Sequence, residues 1–311
     1  MTTVLNRSHT AVELRSRRSG ARKRTDKIRA FTVLGLPAVV LYFFAVIIPL
    51  ILAFRYSLLD FNLLTSDGPF VGLQNYQDVL TDPEFWRAFA FTSVLTVWLL
   101  VSANAGGVCL ALLLNKRRRV FNALRTVAFI PSILSGVVLA YIWSTILTDD
   151  GVLNRMFEIV GLGQFATSWL GTPLAAQISV IFVSSWPSVG FATVVYLAGL
   201  QSIPLELLEA AAVDGAGPLR IFRAITWPLL RPSLIVISTM MVIGGVKSYD
   251  VSAVLTGGGP AGATDTPAMQ ILRHGFVENR AGYANAQAII LLAIIVIMSV
   301  ASYAISNREG K

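Results

Sequence analysis

Six long apolar segments constrain the fold of this chain more than any other feature of its sequence. A helix needs about 20 mostly apolar residues to cross a bilayer, and each segment is at least that long. The segments are approximately Phe31–Phe54, Ala88–Asn115, Ala123–Leu147, Leu174–Leu200, Leu229–Tyr249 and Tyr283–Ser306. Only 14% of the residues are charged, whereas soluble domains carry about 25%. The sequence therefore predicts an all-α, polytopic membrane protein with six transmembrane helices.

The distribution of charged residues predicts the side of the membrane on which each loop lies. If the N-terminus is cytoplasmic, nineteen of the 25 Lys and Arg residues are cytoplasmic and eleven of the 17 acidic residues are outside. Because Lys and Arg collect in cytoplasmic loops, both termini are predicted to be cytoplasmic. Residues 1–30 are then a basic tail, predicted to be disordered, residues 31–306 form the six-span domain, and residues 307–311 form a second tail. Basic flanks are ordinary beside a first span, so no nucleic-acid partner is expected.

The reactive side chains argue against two other classes of membrane protein. The chain has one cysteine, Cys109, and two distant histidines, His9 and His274, which disfavours an internal disulfide or a histidine-rich metal site. No paired carboxylates or His/Cys cluster lies at membrane depth, so neither an enzyme nor a metal site is expected. The spans are nearly free of Asp, Glu and His, which also disfavours an ion-coupled secondary transporter.

The loop between the fourth and fifth spans, about residues 201–229, is polar and rich in residues that begin or end helices. Ser202 is predicted to cap a helix that has Pro204 in its first turn and Gly215 at its end. Pro218 is predicted to begin a second short helix. Two interpretations fit this local structure: an amphipathic loop that lies in the lipid headgroups, and a docking element for a cytoplasmic partner.

The order of residues in this loop favours the docking element. Two residues separate Glu-Ala-Ala from Asp-Gly-Ala, and five residues separate Asp-Gly-Ala from a Phe. An Ile and then a Pro follow, each after an interval of two residues. This pattern resembles the EAA loop of ABC importer permeases, and each of its positions matches: Glu209, Ala210, Ala211, Asp214, Gly215, Ala216, Phe222, Ile225 and Pro228. Three further stretches, Pro69–Ser93, Tyr249–Thr266 and Ala281–Leu292, resemble the maltose-type sugar permeases.

The chain is thus identified as a member of the binding-protein-dependent ABC importer permeases, in the class of the first maltose permease subunit. It lacks the extra N-terminal spans and large outer loop of that subunit in enteric bacteria. It is more similar to the compact permeases for lactose, other oligosaccharides or glycerol phosphate. The resemblance implies a type I ABC importer permease fold in a bacterial or archaeal cytoplasmic membrane. It implies import of a sugar, with glycerol phosphate or another non-sugar solute as the alternative.

The same resemblance implies an assembly in which this chain supplies only part of the membrane path. The expected partners are a second permease subunit, two cytoplasmic ATPase subunits and an extracytoplasmic binding protein, besides the sugar and membrane lipid. The sequence contains no G-x-x-x-x-G-K-[ST] phosphate loop, so ATP and Mg²⁺ are expected on the ATPase and no cofactor on this chain. Coupling to the ATPase is implied for Glu209, Ala210, Ala211, Asp214, Gly215 and Ala216, with Phe222 and Ile225 as apolar anchors.

Polar and aromatic residues within the spans are candidates for the sugar path, because sugar sites combine aromatic faces with hydrogen-bonding groups. They are Asn104, Tyr141, Trp143, Trp186, Tyr196, Lys247, Tyr249 and Asp250. The alternative is an interfacial position for the aromatic residues, a contact between helices for Asn104, and an ion pair with Asp250 for Lys247. Gly257, Gly258, Gly259 and Pro260 are predicted to form a flexible outer gate, a contact for the binding protein or a simple turn.

Overall fold

The computed structural model describes residues 35–116 and 118–308, which form helices and loops with two isolated β-bridges and no strand. The helices are α1 (Leu36–Ser57), α2 (Gln74–Thr81), α3 (Pro83–Leu114), α4 (Arg119–Ile133), α5 (Gly136–Ile146), α6 (Val152–Ile159), α7 (Pro173–Gln201), α8 (Leu205–Val213), α9 (Pro218–Leu229), α10 (Arg231–Val246), α11 (Asp250–Leu255), α12 (Pro267–Leu272) and α13 (Ala281–Arg308). The predicted tail 1–30, the start of the first predicted span and residues 309–311 lie outside the described residues.

Contacts divide the chain into two units, residues 1–55 and 56–311. The described part of the first unit is most of α1, an apolar helix that contains the π-helical stretch Phe43–Ile47. Its large side chains are mostly exposed, which suits a helix surrounded by lipid.

α3 and α7 form the centre of the second unit. Ala103 and Ala111 of α3 pack against Ala192 and Tyr196 of α7, and Ile237 of α10 completes this buried cluster. A second buried cluster joins α3 and α7 to α5 and α11, and a third joins α2 and α3 to α13. The two longest helices of the described chain therefore hold the shorter ones together.

Glycine and alanine allow these helices to approach one another closely. A Cβ added to Gly107 of α3 would lie 2.7 Å from the Cβ of Ala192 on α7. A Cβ added to Gly190 of α7 would overlap the carbonyl oxygen of Ala128 on α4. Small residues at crossing points are the usual way in which membrane helices pack.

Four of the predicted spans are single helices that are long and apolar enough to cross a bilayer: α1, α3, α7 and α13. α3 begins at Pro83 and not near Ala88, because Asp82 caps it by accepting a hydrogen bond from the Glu84 N–H at 2.8 Å. α7 matches the predicted fourth span to within one residue at each end.

The third predicted span, Ala123–Leu147, is not one continuous helix. α4 and α5 cover it, but the helix axis bends by 100° at the break between them. Leu134 and Ser135 at the break are extended, and Ser135 Oγ accepts a hydrogen bond from the Val138 N–H at 3.3 Å, so that Ser135 caps α5. Pro131, in the last turn of α4, removes one backbone donor and weakens that end of the helix.

The fifth predicted span, Leu229–Tyr249, is also part of a bent pair. α9 and α10 meet at Leu230 with a bend of 62°. Pro228 and Pro232 flank the bend, and neither has an N–H to donate to the preceding turn. By length and composition, the described residues therefore hold four straight candidate spans, or six if each bent pair crosses once.

Candidate functional site

The segment between α7 and α10 holds the helix pair that the sequence predicts, although its first cap differs. Ser202 has helical backbone angles, and its hydroxyl donates to the Gly199 carbonyl at 2.8 Å. Its side chain therefore serves the end of α7 and not the start of α8, so the prediction that Ser202 caps α8 is wrong. α8 begins after Pro204, which therefore precedes the first turn in which it was predicted, and α9 begins at Pro218 as predicted.

Gly215 ends α8 as predicted, in the left-handed region with φ of +77°. Its N–H donates to the Ala212 carbonyl at 3.1 Å, and the Ala216 N–H donates to the Ala211 carbonyl at 3.0 Å. These two bonds form a Schellman motif, the usual ending of a helix at glycine. An added Cβ on Gly215 would meet no atom within 4 Å. Glycine is therefore favoured here for its backbone conformation and not for lack of space.

The helix pair presents unpartnered surface. No residue of α8 is buried, and the exposed fraction reaches 87% for Val213 and 62% for Leu219. Glu209 is exposed and forms no ion pair with any described residue. Of the other residues assigned to coupling, Ala210 and Asp214 are exposed and Ala211 and Ala216 are half-buried. Apolar side chains beside a free carboxylate form a surface that suits a protein partner.

Phe222 and Ile225 are half-buried within this chain. Phe222 packs against the buried cluster of Tyr196 and Ile237, and its ring centroid lies 6.1 Å from that of Trp227. Phe222 therefore holds α9 against the spans. Contact of Phe222 and Ile225 with a partner stays a prediction.

A cleft of about 300 Å³ opens beside the break between α4 and α5. It brings together three residues predicted for the sugar path, Lys247, Tyr249 and Asp250, and adds Ser184 and Ser188 of α7. Lys247 and Asp250 are both exposed, and neither forms an ion pair with any described residue. The ion pair considered for them in the sequence is absent, so an ammonium and a carboxylate both remain available in one cleft.

Two further features make this cleft suitable for a polar ligand. Ser184 Oγ is buried and has no hydrogen-bond partner. Asp250 lies against the first residue of α5, since a Cβ added to Gly136 would be 3.0 Å from the Asp250 Cβ. The cleft thus offers donors and acceptors of the kind that bind hydroxyl groups.

Asn104 and Tyr196 lie outside this cleft, in a network that joins three helices. The Tyr196 hydroxyl donates to Asn104 Oδ1, and Asn104 Nδ2 donates to Ser238 Oγ at 3.3 Å. Tyr196 is fully buried. The network connects α3, α7 and α10, and this arrangement favours the alternative that Asn104 joins helices.

Tyr141 and Trp186 also lie outside the cleft, on the outer surface of the helices. The exposed fraction is 70% for Tyr141 and 46% for Trp186. The Trp143 ring stands edge-on to Trp186 and to Phe182, with centroids 5.7 and 5.3 Å apart. These positions favour contact with lipid or with a partner chain over contact with a substrate.

The loop that follows α11 contains the glycines of the predicted outer gate. Gly257 and Gly258 have φ of +61° and +85°. The Thr264 N–H donates to the Gly258 carbonyl at 3.2 Å, and Gln177 of α7 donates to the Ala263 carbonyl at 2.8 Å. These bonds favour a shaped turn over a flexible one. A role as a gate or as a binding-protein contact stays a prediction.

A polar network lies beyond this loop, and only one of its residues, Gln287, could have been singled out from the sequence. Arg273 donates to the Asp265 carboxylate at 3.0 Å, and Gln287 of α13 donates to Gln270 of α12 at 2.8 Å. Gln270 in turn donates to the Glu84 carbonyl of α3 at 3.0 Å. Gln287 is distinctive in the sequence because an amide inside an apolar span needs a partner. The described residues contain no group of His, Cys, Asp and Glu side chains suited to a metal ion.

Comparison with known proteins gives a family and several relatives. Residues 103–311 match the model of the family described as "Binding-protein-dependent transport system inner membrane component". The chain is 35% identical over 289 residues to the multiple sugar-binding transport system permease protein MsmF of Streptococcus mutans, covering 92% of this chain and 98% of that protein. It is 34% identical over 283 residues to the trehalose/maltose transport system permease protein MalF of Thermococcus litoralis, covering 89% and 92%. These names describe transport proteins and not enzymes.

Solved structures share the fold of this chain. A chain in the crystal structure of a bacterial ABC transporter that imports the acidic polysaccharide alginate superposes with a TM-score of 0.79 at 23% identity, covering 93% of this chain and 100% of that one. A chain of the MetNI methionine ABC transporter superposes with a TM-score of 0.52 at 20% identity, covering 73% and 98%. At such identities the likeness concerns the fold alone.

Proposed function

The chain belongs to the family of binding-protein-dependent transport system inner membrane components, and on that basis we propose that it is a permease subunit of an ATP-driven sugar importer. Its partners are a second permease subunit, two ATPase subunits that bind ATP and Mg²⁺, and an extracytoplasmic binding protein that delivers the sugar. Six spans with both termini in the cytoplasm put α8 and α9 on the ATPase side. The sugar and trehalose/maltose permeases among its relatives support the choice of cargo.

The exposed helix α8 is the observation that carries this proposal. It buries no residue in its own chain and contains Glu209, Ala210 and Ala211. It is followed by α9, which bends into α10. α7 and α10 both contribute residues to the cleft. Movement of α8 and α9 by a closing ATPase dimer would therefore reach both walls of the cleft. This connection would transmit the movement of the ATPase subunits to the cleft, as alternating access requires.

Substitution of Glu209 tests the coupling role. We expect Glu209→Ala to lower sugar-stimulated ATP hydrolysis and uptake about tenfold or more, because a charge-assisted hydrogen bond at an interface is worth about 1.5–3 kcal/mol. The measurement uses the assembled transporter in vesicles. Glu206→Ala is the matched control, since Glu206 is exposed on the same helix. Full activity of both variants, with normal assembly, would remove Glu209 from the coupling mechanism.

We place the sugar in the cleft of Lys247, Tyr249 and Asp250. A carboxylate accepts hydrogen bonds from sugar hydroxyls, an ammonium donates to them, and the phenol ring offers an apolar face. The lining of this chain is open, so the second permease subunit completes the path from the other side.

Lys247 also favours a second candidate, a solute with a phosphate group, and two substitutions separate the candidates. For a neutral sugar, Lys247→Gln and Asp250→Asn each remove a hydrogen-bonding charge, and both should raise the KM of uptake by about tenfold. For a phosphate solute, Lys247→Gln should impair uptake and Asp250→Asn should improve it, because the carboxylate repels the anion. Unchanged KM in both variants would exclude the cleft from the path.

A further inference from the structure

α6, in the loop between α5 and α7, presents its apolar side outward. The exposed fractions are 57% for Val152, 58% for Met156 and 85% for Ile159, and their spacing puts them on one helix face. Asn154, in contrast, is only 5% exposed. It accepts a hydrogen bond from Trp169 Nε1 at 2.8 Å. Leu153 and Phe157 are half-buried, and Arg155 and Glu158 are exposed. A helix that faces water keeps its large aliphatic side chains on the inner side, whereas α6 exposes three of them on one face beside charged residues.

α6 is fixed at the ends of two apolar helices. α5 ends at Ile146, shortly before α6, and α7 begins at Pro173, shortly after it. Phe157 of α6 stacks on Trp169 with centroids 6.2 Å apart, and Trp169 packs against the buried cluster of α5 and α7. α6 therefore lies between the ends of two apolar helices, at the place where the chain would leave the hydrocarbon if both helices cross the membrane.

An apolar cleft of about 200 Å³ lies between α5, α6 and α7. Leu153 of α6, Trp143 of α5 and Ile178 and Phe182 of α7 line it. Ile178 and Phe182 are 52% and 56% exposed, and with Leu174, at 68%, they form a row along α7 at intervals of one turn. The cleft is thus continuous with the outward row of a spanning helix.

We propose that α6 lies in the bilayer interface and that the cleft beside it holds an acyl chain of a membrane phospholipid. The outward side chains of α6 would be buried at the boundary between headgroups and acyl chains, as in other interfacial helices. Lipid is a better occupant than another permease helix, because interfaces between membrane helices are rich in Gly, Ala and Ser. The face and the row consist instead of large aliphatic and aromatic side chains. This position of α6 requires only that the chain is inserted in a membrane, and it does not depend on sugar or ATP.

Spin labels test the position of α6 in the assembled transporter, in vesicles of phosphatidylethanolamine and phosphatidylglycerol. Cys109→Ser removes the only cysteine of the chain, and Ile159→Cys and Glu158→Cys then carry the label at neighbouring positions. We expect the label at residue 159 to collide mainly with oxygen and the label at residue 158 mainly with a water-soluble nickel chelate. Equal nickel accessibility at both positions would overturn the proposal. Protection of residue 159 from both reagents would also overturn it, since a protein would then cover this face.

A phospholipid with a photoreactive diazirine in its acyl chain tests the cleft. Crosslinks are expected at peptides that contain Leu153 or Ile178. Ile178→Trp fills the cleft and should lower the yield about fivefold or more, which corresponds to about 1 kcal/mol of lost apolar contact. Leu174→Trp, one turn away on the same face, should keep it. Equal yields in the two variants, both correctly assembled, would show that no acyl chain occupies the cleft. The spin-label measurement does not depend on either substitution.

Discussion

At the scale of single residues, Gly215 and Ser202 show what a sequence reveals about a loop. The left-handed conformation of Gly215 follows from its place after a helical run, because glycine enters that region at little cost. Ser202 lies between two helices, and its side chain can form a hydrogen bond that caps the end of one or the start of the other. Local pattern does not decide between them. The structure shows that it serves the end of α7.

The residues of the sugar path show where the sequence falls short. Lys247, Tyr249 and Asp250 are close in the chain and reach one cleft. Asn104 and Tyr196 are equally polar, yet they bond to each other in the core. The difference depends on which faces of α3, α7 and α10 meet, and apolar spans with weak periodicity do not encode this clearly.

Two tyrosine substitutions distinguish a structural from a substrate-binding role. Tyr196→Phe leaves the half-buried Asn104 Oδ1 without its donor. It should therefore lower the free energy of unfolding by about 1–3 kcal/mol and leave the KM for sugar unchanged. Tyr249→Phe, in the open cleft, should raise the KM and leave stability unchanged. Thermal unfolding and uptake kinetics provide the two readouts. A raised KM with normal stability in Tyr196→Phe would return Tyr196 to the sugar path.

At the scale of helices, the sequence predicts the straight spans well and the bent ones poorly. α7 agrees with its prediction because Thr172 and Pro173 mark its start and the apolar run continues to its end. The break between α4 and α5 is not evident from composition, since both sides are apolar and membrane helices often tolerate a proline. It depends on the Ser135 cap and on the contact of Gly136 with Asp250.

The crossing of α4 and α7 gives a prediction at this scale. Gly190→Ala should lower the free energy of unfolding by about 1–3 kcal/mol, because the added methyl group would overlap the Ala128 carbonyl oxygen and push α4 away. Gly244→Ala is the control, since its methyl group would meet no atom within 4 Å. Both glycines lie inside helices, so the gain in helix propensity is the same. Equal thermal stability of the two variants would mean that α4 does not pack on α7 as described.

At the scale of the whole molecule, the family follows from the sequence more securely than the path of the chain through the membrane. The EAA residues lie in one short stretch, from Glu209 to Pro228, and the family model and the relatives confirm the identification made from them. The six crossings rest on the length of the apolar segments and the cytoplasmic termini on charge placement, and both stay predictions. In the proposed assembly, partner chains cover α8 and the open side of the cleft, whereas lipid covers the exposed face of α6.

Uptake of labelled sugar into vesicles tests whether this chain is a subunit of an ATP-driven importer. The vesicles contain the assembled transporter, with binding protein and sugar outside and Mg²⁺–ATP enclosed. We predict accumulation against a gradient that requires the ATPase subunits and enclosed ATP and persists when ionophores collapse proton and sodium gradients. Uptake by this chain without ATPase subunits, or loss of uptake on collapsing an ion gradient while ATP remains, would contradict the account.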